Sequence, residues 1–314
     1  MKRLMMLLAA GFAAIGAWAD TQKVGDYTWT YRIVDGTAEI YNEGDTAISP
    51  YPEGDITIPS TLGGKPVTRI GDSTMSYLGL LTSVKMPASV TSIGCYTFNE
   101  CRNLESVEMP GVKEIGANAF SSCVSLSSVV MPDDVKILGP AAFASCPGDE
   151  SGLVIIDNVV YGGSYDIPSR VVIPDTVTRI ADYALSRFFD LKSVLIPGNV
   201  KSIGECAFYE SDLGEGVVIC DGVEDIGTGA FYNTEFKSIV IPGSVNSIGE
   251  SAFFRSESLT SATILDGVKT IGDGAFSCDR LTSISIPPSV TTVGSEGLYV
   301  GVKTVYVAFD RVVE

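Results

Sequence analysis

The stretch of sequence that decides the fold is residues 90–110, VTSIGCYTFNECRNLESVEMP. An Ile-Gly pair is followed by a phenylalanine, a leucine, alternating apolar residues and a proline, and this order returns along most of the chain. The interval is 22 or 23 residues, except for 42 residues between Gly139 and Ala181, which replaces the glycine in one copy. The repeated glycines are Gly71, Gly94, Gly116, Gly139, Gly204, Gly227, Gly249, Gly272 and Gly294. Such a period indicates a repeat architecture, although 314 residues would suggest two ordinary domains.

Each repeat predicts one short strand and one tight return. The segment Leu-x-Ser-Val-x-Ile-Pro alternates apolar and polar residues as a half-buried strand does, and its proline ends the strand. The segment Ile-Gly-x-x-Ala-Phe favours a tight return or a single helical turn. One repeat cannot fold alone. Ordering each of its residues costs about 1–2 kcal/mol of conformational entropy, and burial of its own apolar side chains recovers only part of that free energy. The repeats must therefore stack into a single-domain solenoid.

Stacking places the phenylalanines of successive repeats in one register, so we expect them to form an internal spine. The predicted spine consists of Phe98, Phe120, Phe143, Phe208, Phe231, Phe253 and Phe276, with Met75, Leu185 and Leu298 at the weaker positions.

These residues resemble the BspA-like leucine-rich repeats of secreted and surface bacterial proteins. The resemblance is carried by Ile93-Gly94 to Phe98 and Cys101, by IGANAF at 115–120 and by strands such as SIVIP at 238–242. It covers roughly residues 56–314. It implies a right-handed curved leucine-rich-repeat solenoid with parallel β-strands on its concave face, and a role in surface attachment or ligand binding.

The first 19 residues have the pattern of a secretory signal peptide. Lys2 and Arg3 precede an apolar run, and small residues at Ala17 and Ala19 predict cleavage before Asp20. The run is shorter than the roughly 20 residues that a transmembrane helix needs, so a retained anchor is the weaker alternative. The sequence therefore predicts a secreted or cell-surface protein with no integral membrane segment after cleavage.

Residues 20–55 lie outside the repeat and predict a β-hairpin. Alternating residues from Tyr27 to Ile33 lead into Asp35-Gly36, a strong turn signal between two strands. We interpret this hairpin as an N-terminal cap over the first turn of the solenoid. The solenoid itself spans residues 56–314. The alternative is a platform of Tyr27, Trp29 and Tyr31 for stacking a sugar ring or another planar ligand.

An insertion near residues 147–168 accounts for the long interval between repeats. The runs at 153–156 and 159–161, separated by Asp157-Asn158, predict a second hairpin. Insertions into repeats form loops on one face, and that face is often the binding face. The insertion is therefore either a contact element or a decoration without a function of its own.

Composition and motifs exclude several classes of function. The net charge is −17, which opposes binding to nucleic acids and anionic membranes. Because the chain has no histidine, Ser-His-Asp and Cys-His catalysis are excluded. The sequence contains no P-loop, dinucleotide fingerprint or Gly-x-Ser-x-Gly motif, so we expect no enzyme, no cofactor and no metal site.

One catalytic alternative remains, which is a carboxylate-dependent glycan hydrolase with Glu210 and Asp212 as its test residues. Both residues belong to an acidic stretch of the sequence, and weak calcium binding by this stretch is a further alternative. The stretch comprises Glu205, Glu210, Asp212, Glu215, Asp221, Glu224 and Asp225.

The seven cysteines form no Cys-x-x-Cys pair. Cys101, Cys123 and Cys146 share one position of the repeat. We expect them to pack as small buried thiols, with one disulfide between neighbouring turns as the alternative.

Strand alternation identifies the candidate ligand-binding residues, because every second side chain of a strand faces outward. One outward row has five consecutive apolar residues, with mainly polar residues at both ends. The apolar residues are Val130, Val172, Leu195, Val218 and Val240. They reflect either β-propensity or a protein-binding surface. We predict a binding protein whose role is adhesion to, or recognition of, a protein or glycan through its concave face. The alternative is a self-associating structural component of an envelope or matrix.

Overall fold

The computed structural model describes residues 19–42, 44, 46–132, 135, 137–139, 141–164, 166–296 and 304–307. Most of the predicted signal peptide, residues 1–18, and Leu298 of the predicted spine lie outside these residues. The described chain is a parallel-strand solenoid of about ten turns, as predicted. None of its described residues lies in an α-helix, and it offers no helix of the length and hydropathy needed to cross a bilayer.

Each turn contributes a longer strand to one ladder, whose outer surface we call the long-strand face. The pairing is parallel and in register, so that Val107 lies between Val84 and Val129. The ladder consists of three sheets. The strands of the first are Gly54–Thr57, Leu81–Lys85, Ser106–Glu108 and Ser128–Val130. The strands of the second are Arg170–Val172, Ser193–Ile196 and Gly216–Ile219. The strands of the third are Ser238–Ile241, Ser261–Ile264, Ser283–Ile286 and Thr304–Val307.

Each turn also contributes a short strand, in most turns of two residues, to a second parallel ladder. Before the insertion its strands are Lys65–Ile70, Ser92–Ile93, Glu114–Ile115 and Ile137–Leu138. After the insertion its strands are Arg179–Ile180, Ser202–Ile203, Asp225–Ile226, Ser247–Ile248, Thr270–Ile271 and Thr292–Val293. The strand Thr61–Leu62 pairs antiparallel with Lys65–Ile70.

The Ile-Gly-x-x-Ala-Phe segments form tight returns and not helical turns. Tyr96 and Glu100 have φ angles of 56° and 59°, in the left-handed region that side chains disfavour. Backbone hydrogen bonds to the next turn hold this conformation, for example from Tyr96 N to Ala117 O at 2.9 Å and from Phe98 N to Ala119 O at 2.7 Å. Stacking between turns therefore stabilises a backbone that the segment would not adopt alone.

The predicted phenylalanine spine is confirmed over the described residues. The rings of Phe98 and Phe120 are stacked with centroids 5.2 Å apart, and those of Phe253 and Phe276 are 5.0 Å apart. These distances are close to the spacing of neighbouring strands, so the rings repeat with the ladder. Met75 and Leu185 are also fully buried.

The N-terminal hairpin forms around Asp35-Gly36. Its strands are Tyr27–Val34 and Thr37–Ile40, flanked by the antiparallel strands Asp20–Val24 and Ile48–Ser49. Thr37–Ile40 pairs in parallel with Lys65–Ile70, so the hairpin covers the start of the short-strand ladder. The stacking platform considered from the sequence is wrong, because Trp29 and Tyr31 are buried in the core.

The insertion also forms a hairpin, from Leu153–Ile156 and Val159–Gly163. Its second strand pairs in parallel with Arg179–Ile180 and so restarts the short-strand ladder. Tyr161 enters the aromatic core, with its ring centroid 6.1 Å from that of Phe143. The hairpin thus replaces a short strand but supplies no paired strand to the long-strand ladder.

The aligned cysteines line the core as thiols, and none of the seven forms a disulfide. Cys101, Cys123 and Cys146 each donate a hydrogen bond to a carbonyl of the preceding turn, as Cys123 Sγ does to Phe98 O at 3.2 Å. Burial raises the pKa of the Cys101 and Cys146 thiols to about 12. In other repeats a serine takes this role, as Ser256 Oγ does toward Phe231 O at 3.0 Å.

The repeated glycine is required because successive turns approach each other closely there. A Cβ on Gly249 would lie 2.5 Å from the carbonyl carbon of Gly227 and 2.5 Å from the nitrogen of Thr228. Both are backbone atoms, which cannot rotate away. Ala181 takes the place of this glycine in the turn that stacks on the insertion hairpin, where its N–H donates to Val160 O at 2.9 Å.

We expect Gly249→Ala to lower the free energy of unfolding by about 2–3 kcal/mol, because the added methyl group overpacks two turns of backbone. The matched change Ala181→Gly should cost only about 0.5–1 kcal/mol, which is the usual effect of glycine. Urea denaturation of both variants measures the difference. Equal stability of Gly249→Ala and the wild type would contradict the close packing of turns.

We also expect the core thiols to resist alkylation in the native state. A thiol with a pKa of about 12 stays protonated at pH 8, and the thiolate is the reactive form. At most the three half-buried thiols, of Cys95, Cys206 and Cys220, should react with a thiol reagent at pH 8, and all seven should react after unfolding. A count below seven in denaturant without reductant would instead indicate a disulfide.

Candidate ligand-binding surface

The predicted apolar row lies on the long-strand face and is accessible. Val130, Val172, Val218 and Val240 have exposed fractions of 54%, 62%, 53% and 53%, and Leu195 is half-buried. The alternate residues of the same strands, such as Val171, Val194 and Val217, face the core and are buried. Strand alternation therefore separates the two sets as the sequence predicts.

The structure aligns three of the five residues directly. Val172, Leu195 and Val218 are paired in register on adjacent strands of one sheet. Val240 belongs to the next sheet, whose first strand lies beside Gly216–Ile219 without ladder pairing. Val130 lies on the far side of the insertion, in the first sheet. We call the set of Val172, Leu195, Val218 and Val240 the apolar stripe.

The N-terminal ends of these strands carry charged pairs beside the apolar stripe. Arg170 Nε lies 2.6 Å from a carboxylate oxygen of Glu215, and this ion pair spans the three strands of the sheet. The hydrogen bond from Arg170 lowers the pKa of Glu215. Lys192 likewise donates to Asp212 and lowers the pKa of that carboxyl. An apolar centre with a charged rim is the usual composition of a protein-binding patch.

Toward the N-terminal end of the solenoid, the outward row that contains the apolar stripe becomes polar. Lys85 Nζ and a carboxylate oxygen of Glu108 lie 2.8 Å apart on paired strands. Both side chains are exposed, so this ion pair contributes little to stability. It marks where the face changes from apolar to charged.

Four carboxylates of the acidic stretch between Glu205 and Asp225 form ion pairs with basic residues of earlier turns; they are Glu210, Asp212, Glu215 and Glu224. Glu210 lies 3.0 Å from Arg187, and Glu224 lies 3.0 Å from Lys201. A glycosidase acid needs a raised pKa, whereas the pKa of Asp212 is lowered by Lys192. Within the described residues, no group of three or more acidic or cysteine side chains is arranged to hold a metal ion. This geometry favours a stabilised surface over a carboxylate centre.

An aromatic row on the return segments was missed in the sequence analysis. Tyr209, Tyr232 and Phe254 stack with centroid distances of 4.8 and 5.4 Å. The guanidinium carbons of Arg187 and Arg255 lie over the two ends, 5.9 and 5.6 Å from the ring centroids. Its signal was present, since each of these residues directly follows a spine phenylalanine. Because the rings cover each other's faces, the row leaves little ring surface for a ligand.

Several solved structures of bacterial leucine-rich repeat proteins are similar to this chain. A leucine-rich cell surface protein from Faecalibacterium prausnitzii is 22% identical, with 93% of this chain and 96% of that chain covered and a TM-score of 0.36. The pneumococcal vaccine antigen PcpA is 17% identical, with 92% and 99% covered and a TM-score of 0.44. A leucine-rich repeat protein from Bacteroides ovatus is 20% identical, with 94% of each chain covered and a TM-score of 0.34. No curated protein sequence matches the chain.

A family model, described as a BspA-type leucine-rich repeat region, matches the sequence over residues 55–151, 154–216 and 214–300, in six copies. The match covers most of the solenoid and confirms the resemblance inferred from the repeated Ile-Gly and phenylalanine positions. The chain therefore belongs to the BspA-type leucine-rich repeat family.

Proposed function

We propose that this chain is an exported recognition protein that binds a protein partner through the apolar stripe. The observation that carries the proposal is the alignment of the exposed Val172 and Val218 on either side of the half-buried, outward-facing Leu195 across one sheet. Contiguous exposed apolar patches on protein surfaces often mark sites of interaction with a partner. Adhesion or host contact is the role that the family resemblance implies.

The chemistry of the stripe favours a protein over a glycan. Branched aliphatic side chains bury well against a partner's apolar residues, whereas glycans are usually held by polar groups and exposed aromatic faces. Two of the three aromatic residues of the N-terminal hairpin that could stack on a sugar ring, Trp29 and Tyr31, are buried. The paired backbone around the stripe also limits the entropy lost on binding, since little of it must be ordered.

Export belongs to the same proposal and rests on the N-terminal sequence. The charged residues Lys2 and Arg3, the apolar run and the small residues before Asp20 have the order of a secretory signal. Cleavage there leaves 19 basic and 38 acidic residues. The exported chain is then strongly acidic, which favours partners with a basic surface.

The test is binding of the immobilised full chain to an array of matrix proteins, serum proteins and glycans. The double variant Leu195→Glu, Val218→Glu places two charges in the centre of the apolar stripe. We expect it to weaken binding to a protein partner at least tenfold, because a charge buried without a partner at an interface is strongly unfavourable.

The matched control is Thr263→Glu, Ser285→Glu, which adds the same charge to the polar end of the same row. This control should keep at least half of the native affinity, and all variants should unfold at similar temperatures because the side chains face outward. Unchanged binding by the Leu195→Glu, Val218→Glu variant would exclude the stripe. Concentration-dependent self-association without any captured partner would favour the structural alternative.

A further inference from the structure

We propose that the interruption of the long-strand ladder at Ser128–Val130 is a slot for an extended peptide segment of a partner protein, which binds by adding a strand to the ladder. This slot is separate from the apolar stripe, and the proposal does not depend on it. It rests on an unpaired strand edge, an opening into the core and the charge of the insertion.

The first observation is the unpaired edge. Ser128 N donates to Glu105 O at 3.1 Å, and Val130 O accepts from Met109 N at 2.8 Å, so both residues bond to the preceding strand. Backbone groups of successive strand residues point to opposite sides, so the N–H and C=O of Val129 point away from that strand. Among the described strands, only Ser106–Glu108 pairs with Ser128–Val130. The free edge can pair with an added strand.

The second observation is a cavity of about 460 Å³ beside this edge. Its apolar wall includes Leu126, Val129 and Phe143 from the repeat and Leu153, Val154 and Ile155 from the insertion hairpin. Val129 faces the core but is only half-buried, whereas the equivalent Val107 and Val194 are almost fully buried. The core is therefore open here, with room for a bulky apolar side chain.

The other interruption of the ladder shows that an unpaired edge does not by itself open the core. Gly216–Ile219 and Ser238–Ile241 also form no ladder pairing with each other, but these two strands lie side by side. The inward residue Val217 remains buried. At the insertion, in contrast, the free edge of Ser128–Val130 and an apolar cavity occur together.

The third observation is charge. Residues 147–168 include Asp149, Glu150, Asp157 and Asp166 and no lysine or arginine. Asp149 and Asp157 line the cavity itself. The occupant that fits is therefore an extended segment with one bulky apolar residue that fills the cavity and lysine or arginine on its flanks. A helix does not fit the edge, because its own backbone groups are already paired.

The test is selection of random heptapeptides displayed on phage against the full chain, followed by fluorescence polarisation with the enriched peptides. We expect these peptides to combine an aromatic or aliphatic residue with flanking basic residues. Val129→Pro removes the outward N–H and should lower their affinity at least tenfold, while proline at a solvent-facing edge position is tolerated. The matched control Val129→Thr keeps the N–H and a similar shape, and should bind within threefold of the native chain.

Hydrogen exchange gives a readout that does not depend on any substitution. The Val129 amide should exchange fast in the free chain and become protected when an enriched peptide is added. N-methylation of the peptide backbone at the pairing position should abolish binding. The Leu195→Glu, Val218→Glu variant should bind the peptides normally, so failure of the stripe and failure of the slot remain distinguishable.

Three results would overturn the proposal. The first is that no peptide is enriched. The second is that Val129→Pro binds as tightly as Val129→Thr when both variants unfold at the native temperature. The third is that the chain alone forms a dimer that protects the Val129 amide, because the occupant would then be a second copy.

Discussion

The close approach of each turn to the next is the constraint on which the rest of this structure depends. Backbone hydrogen bonds between turns fix the spacing, and the spine rings repeat at 5.0–5.4 Å in step with it. At that distance a side chain on Gly249 would collide with the backbone of the preceding turn. The same bonds hold residues such as Tyr96 in the left-handed conformation. Sequence period, core and long-strand face all follow from this spacing.

Much of the fold could be predicted because its signals repeat. Gly94, Phe98 and Cys101 each occupy a position whose equivalents recur in other repeats, so weak local signals reinforce one another. The role of the N-terminal aromatic residues could not be settled in this way. The alternation of apolar and polar residues alone does not show whether Trp29 is buried in a cap or exposed to a ligand. Only the packing of the hairpin against the first turns decides it.

The candidate site was predictable in its residues but not in its continuity. The outward positions of Val172, Leu195 and Val218 follow from strand alternation, whereas the separation of Val130 from them does not. That separation depends on how the insertion hairpin pairs, which strand alternation alone does not determine. The ion pair of Glu210 with Arg187 was predictable in principle, because 23 residues are one repeat. The cavity beside Ser128–Val130 exists because the insertion hairpin pairs with the short-strand ladder, and no local sequence signal predicts it.

The central claim is that partners bind to the exposed side of the long-strand ladder. Methyl NMR spectra of the full chain, recorded with and without a protein captured on the array, test it most directly. The account predicts that the methyl signals of Leu195, Val218 and Val172 shift or broaden on binding, while those of the inward residues Val194 and Val217 change much less. Unchanged signals from the stripe, with shifts confined to residues elsewhere on the solenoid, would contradict the account.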